Sequence, residues 1–145
     1  MSDNTLVEKI IEYIEKNLET DLSLDKISKD LCYSKFYIAK VFLEKTNCTI
    51  YKYIQGRRLT LAASKLVETD KTIIEIAYEA QYGSQQAFNY AFRKLYLCTP
   101  HAYRKKGFSI RPRKKSIWKV RCFVFLIQAL NWEVKWLHEY NSLCH

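Results

Sequence analysis

Part of this 145-residue chain is written twice, and no fold can ignore that. Moving the sequence by 50 positions lays Ser34 on Ser84, Phe42 on Phe92, Cys48 on Cys98, Thr49 on Thr99 and Tyr53 on Tyr103. Apolar pairs, Ile38 with Phe88 and Val41 with Ala91, fill the space between. Upstream the offset is 49: Leu24 meets Ile73, Ile27 meets Ile76 and Tyr33 meets Tyr82, with Gly83 as the extra residue. Self-similarity at a fixed offset means two copies of one small structural unit.

Each copy reads as helix, short turn, helix, over about residues 24–45 and 73–96. In the first, Ser23 caps a helix carrying Leu24, Ile27 and Leu31, and Ser34 caps a second helix over 35–46. In the second, Thr72 and Glu75 have capping-box spacing ahead of Ile76, Ala77 and Ala80, and Ser84 caps a helix over 85–96. Thr99 followed by Pro100 starts a short last helix, because proline suits the first helical position. A first helix over 5–18 is set by Leu6, Ile10, Ile14 and Leu18, which recur every four residues. Residues 51–67, with Tyr53, Ile54, Leu59, Ala62, Ala63 and Leu66, read as a long helix joining the copies despite Gly56. Three glycines and two prolines are too few for a chain of tight β turns. The expected fold is all-α: two homeodomain-like helix-turn-helix subdomains joined by a long helix, over 1–107, with a C-terminal extension over 108–145.

A helix-turn-helix unit places its second helix in the major groove of DNA while the first braces on the backbone. The charge agrees. The net formal charge is +9, but residues 1–31 hold four Lys against eight acids, 32–108 hold thirteen Lys and Arg against five, and 109–145 hold seven against two. In the second copy, Gln85, Gln86 and Asn89 lie where base edges are read, and Gln or Asn pairs bidentately with adenine. Arg93 follows one turn later. In the first copy the same face carries Lys35, Phe36, Tyr37, Ala39 and Lys40, which is poorer in base-reading groups. Lys40 suits guanine or phosphate, Tyr37 a phosphate, and Phe36 a thymine methyl or simply the domain itself. This copy is expected to add affinity more than discrimination. Ser34 and Ser84 sit at helix N-termini, which favour phosphate. Arg57, Arg58, Arg104, Lys105 and Lys106 are candidate phosphate neutralisers, unless Arg57 or Arg58 instead pairs with acids such as Glu68 or Asp70. Phe42, Phe88, Phe92, Leu95 and Tyr103 fall on the buried faces.

Ile76, Ala77, Tyr82, Ser84, Phe88, Phe92, Thr99, Pro100, Tyr103 and Arg104 together resemble the signature of the AraC/XylS family of bacterial transcription regulators, across about residues 4–107. The resemblance implies seven helices and two readers entering successive major-groove segments on one side of the duplex. Its readers are Phe36, Ala39 and Lys40 in the first copy and Gln85, Gln86 and Asn89 in the second. It also implies an activator that touches RNA polymerase. A small-molecule effector is not expected in this chain. Four positions depart from the family's glycines: Cys32 and Gln81 at the two turns, Asn47 and Leu97 before the Thr-containing steps. A left-handed backbone suits Asn but not Leu, so the turn at Leu97 is expected to be remodelled or strained.

The extension opens with a basic run, Arg111, Arg113, Lys114, Lys115, Lys119 and Arg121, and continues apolar from Cys122. A helix from about Ser116 fits it. That apolar stretch is too short to span a bilayer, so the second functional class is a module meeting a protein or membrane surface through this extension. Five cysteines without a CxxC pair, and a polar N-terminus without a secretory pattern, set the expectation of reduced thiols in the cytoplasm; the resemblance implies a bacterial, nucleoid-associated protein. No catalytic triad, nucleophile motif or phosphate loop stands out, and His138, Cys144 and His145 lack metal-site spacing. Neither an enzyme nor a cofactor is expected.

Overall fold

The computed structural model describes residues 3–107, which form seven helices. These are α1 (Asp3–Lys16), α2 (Leu24–Leu31), α3 (Lys35–Thr46), α4 (Ile50–Glu68), α5 (Ile73–Glu79), α6 (Gln85–Tyr96) and α7 (Pro100–Lys106). No strand occurs among the described residues. The expectations for 108–145, including the basic run, the helix from Ser116, and His138, Cys144 and His145, lie outside them.

Short polar caps set the helix starts. Ser23, Ser34, Thr49, Thr72, Ser84 and Thr99 each hold extended backbone and accept a hydrogen bond from the N–H three residues on. Such a cap contributes about 1 kcal/mol. Thr72 and Glu75 close the expected capping box. Thr49 caps the long helix, so α4 starts at Ile50, just before the expected 51–67. Its twin under the 50-residue offset, Thr99, does the same for α7. The first helix spans 3–16 where 5–18 was expected; Leu18 lies beyond it but is still buried.

Two cores result. The first contains Leu6, Ile10, Ile14, Ile27, Ile38 and Phe42, closed by Ile50, Tyr53 and Ile54 at the start of α4. The second contains Leu59, Ala62, Ala63 and Leu66 from the rest of α4, with Ile76, Ala77, Phe88, Phe92 and Tyr103. So α4 is a wall of both. Gly56 lies between the two sets, and the helix runs through it.

The sites that replace the family's glycines keep the left-handed backbone. Cys32, Asn47, Gln81 and Leu97 have φ of 60°, 53°, 64° and 60°. The turn at Leu97 is therefore not remodelled, and a Leu held there costs roughly 1–2 kcal/mol.

Candidate nucleic-acid interface

The bounds of the two second helices, α3 and α6, correspond under the offset of 50, from Lys35 with Gln85 to Thr46 with Tyr96. Both turn Ile38 or Phe88, and Phe42 or Phe92, completely inward. The side that remains outward is therefore the same in both. On α3 it carries Phe36, Lys40 and Leu43; on α6 it carries Gln86, Tyr90 and Arg93.

Phe36 is 86% exposed. It does not pack on the domain, which removes the plainer of its two expected roles. Lys40 is exposed and lies 4.0 Å from Glu44 on the same helix. Lys35 is tied to Asp25 of α2 at 2.7 Å. Tyr37 stacks on Tyr33 and donates a 3.3 Å hydrogen bond to Asp3 of α1. The Asp3 carboxylate lifts the Tyr37 phenol above its ordinary range. Lys35 and Tyr37 thus brace α3 against its neighbours.

In α6, Gln86 is exposed and Gln85 half-buried. Asn89 is half-buried too, and its Oδ1 is enclosed without a hydrogen-bond partner. Bidentate pairing with adenine needs both ends of the amide outward, so in this rotamer Asn89 offers only one. Arg93 is exposed. Tyr90 is 64% exposed, with the Lys94 ammonium 4.4 Å above its ring. Sequence reasoning missed Tyr90 and also Leu43, which is exposed on α3. Yet Tyr90 is the counterpart of Lys40, and Leu43 of Arg93, so the repeat already held the signal.

Three of the arginines expected to meet phosphate make hydrogen bonds within the fold. Arg57 Nε and Nη2 donate to the two oxygens of Glu15 at 2.7 and 2.9 Å, and the Tyr53 hydroxyl donates to the same carboxylate. This joins α1 to the middle of α4, and burial pushes the Tyr53 phenol far up. Arg57 does pair with an acid, but with neither Glu68 nor Asp70. Arg58 donates to the carbonyls of Leu18 and Thr20, just past α1. Arg104 does the same at the end of α4, donating to the carbonyls of Leu66, Thr69 and Lys71. Lys105 and Lys106 are exposed on α7.

The hydroxyls of Ser34 and Ser84 cap α3 and α6, accepting from Tyr37 and Ala87 N–H at 3.2 and 3.1 Å. Behind α6, the Tyr82 hydroxyl is buried without a partner, and burial pushes its pKa to about 12. A polar tie connects the two halves: Gln81 donates to the Glu19 carbonyl, and Lys65 bridges Glu19 and Glu79. Among the described residues no group of His, Cys, Asp and Glu is arranged to hold a metal, and no helix is long and apolar enough to cross a membrane.

Residues 27–106 match the family described as a helix-turn-helix domain. The chain is 40% identical over 101 residues to the TetD protein of transposon Tn10 from Escherichia coli, covering 70% of this chain and 73% of that one. It is 37% identical over 106 residues to the regulatory protein SoxS of Salmonella typhimurium, covering 73% of this chain and 99% of that one. The chain belongs to the AraC/XylS family. Among solved structures, the C-terminal domain of the response regulator AraT from Geobacillus stearothermophilus matches with a TM-score of 0.66 at 27% identity, over 70% of this chain and 85% of that one. As an AraC/XylS member, the chain is a DNA-binding transcription regulator with two helix-turn-helix units.

Proposed function

We propose that the AraC/XylS domain, residues 1–107, reads two adjacent major-groove segments of one duplex, with α3 in the first and α6 in the second, and activates transcription by touching RNA polymerase in the bacterial cytoplasm. The observation that carries the groove reading is that two repeat-related helices present the same outward side, one armed with Phe36 and Lys40, the other with Gln86, Tyr90 and Arg93. The reading of polymerase contact rests on the family alone.

The two segments are read by different chemistry. Phe36 has no donor or acceptor, so the feature of a base edge that it fits is the thymine methyl; Lys40 beside it fits guanine or a phosphate. Gln86 fits an adenine edge, its carbonyl accepting from N6–H and its amide donating to N7, and Gln85 and Arg93 flank it. Ser34 and Ser84 keep a hydroxyl proton to offer a phosphate while they cap.

The test is selection from random duplexes, followed by footprinting of the winners. A protected stretch of about two helical turns, ~34 Å each, is expected. Replacing thymine by deoxyuracil removes only the methyl group, and should weaken binding in the α3 segment alone. Protection of a single turn, or no preference among duplexes, defeats the two-segment reading.

A further inference from the structure

The repeat supplies an internal control for surface residues. Under the offset of 49, the outward residues of α2, Asp25 and Lys29, fall on Ile74 and Tyr78 of α5. The unit folds with charges at these two places in its first copy. In the second copy both places are apolar, four residues apart on one face, and 44% and 56% exposed. The fold does not require them, and isolated exposed apolar residues are ordinary, but a paired replacement of charges calls for something to cover it.

The last helix reaches the residue ahead of α5. Arg104, two residues before the end of α7, donates to the carbonyl of Lys71, which immediately precedes the cap of α5. Exposed Glu68, the last residue of α4, and Asp70, in the α4–α5 link, stand ahead of it. Beyond Gly107 come 38 residues, basic at 111–121 and predominantly apolar at 122–137. The fourteen residues 108–121 reach up to about 45 Å at ~3.3 Å each, far more than the width of a helix. Length, point of departure, charge and hydropathy all fit one occupant.

We propose that residues 108–145 cover α5 of their own chain, with the basic run along Glu68 and Asp70 and the apolar stretch on Ile74 and Tyr78. The α5 face is then an intramolecular docking surface, and anything else that uses it competes with the extension.

The three tryptophans of the chain, Trp118, Trp132 and Trp136, all lie in the extension, so tryptophan emission of the full chain reports on it alone. Wild-type emission should be blue-shifted and independent of protein concentration. Tyr78→Glu, and separately Ile74→Asp, should shift it to the red and increase acrylamide quenching. Lys29→Glu, which places the same side chain at the twin position on α2, should change neither. Far-UV circular dichroism checks that each variant keeps its helices. Emission typical of exposed tryptophan in the wild type overturns the proposal, as does a blue shift indifferent to both α5 variants. A blue shift lost on dilution would assign the cover to a second copy, and one appearing only with anionic phosphatidylserine vesicles would assign it to a membrane; either overturns it.

Discussion

The two helix-turn-helix units share their caps and the positions they bury, and differ in chemistry where they face outward. Phe42 and Phe92 are both completely enclosed, Ser34 and Ser84 make the same cap, and Thr49 and Thr99 start the following helices. Across the same helices, Phe36 stands for Gln86, Lys40 for Tyr90 and Leu43 for Arg93. Close packing punishes a change of one methylene inside, while an outward position answers only to what it touches. Residue types that diverge against a preserved frame therefore mark the working surface.

The comparison can be broken most forcefully through the cores. Phe42→Ala and Phe92→Ala should each cost ~3–5 kcal/mol, measured by urea unfolding. Because α4 walls both cores, each variant should still unfold in one transition; two separated transitions would show that the units are independent. Next come the readers. Gln86→Ala and Phe36→Ala should each lose ~1–3 kcal/mol of discrimination, confined to the α6 and α3 segments respectively in competition with mutated duplexes. Loss spread over both segments would mean the faces are not separate readers. Arg93→Ala serves as a neighbouring comparison on α6.

The left-handed turns offer a subtler contrast. Leu97→Gly should stabilise the domain by roughly 1 kcal/mol, and Asn47→Gly by close to nothing, read as the difference in melting temperature. The smallest effect concerns the tie between the halves. Hydrogen bonds from Lys65 and Lys71 hold the Glu79 carboxyl below the ordinary carboxylate range. Its contribution is complete above the unfolded value of about 4.3 and is lost as pH falls through the lower folded value. Glu79→Gln should therefore melt below wild type near neutrality and converge with it in acid. An advantage that persists in acid would mean that the ion pairs contribute nothing.

The frame was legible in the sequence because caps and apolar spacing are local signals. The helices over 35–46 and 85–96 and the box at Thr72 and Glu75 follow from a few residues each. What stayed hidden depends on distant partners. Nothing near Arg57 announces Glu15, 42 residues earlier, and nothing near Arg104 announces the carbonyls at the end of α4. A basic residue in a basic protein reads as a phosphate ligand until the fold shows what it holds. Asn89 was similarly opaque, since its amide is partly enclosed by the packing of α6. Tyr90 differs: comparison with Lys40 would have exposed it.

The sharing of α4 by both cores has a consequence for how such a protein can change its target. Its first turns are set in one core and its later turns in the other, so the helix acts as a ruler with no slack. One residue inserted near Gly56 would rotate α6 by about 100° relative to α3 and advance it by ~1.5 Å. Under the proposed two-segment reading, single substitutions on the outer faces would revise which bases are preferred, but the spacing of the site along the duplex would be inherited as a fixed phase.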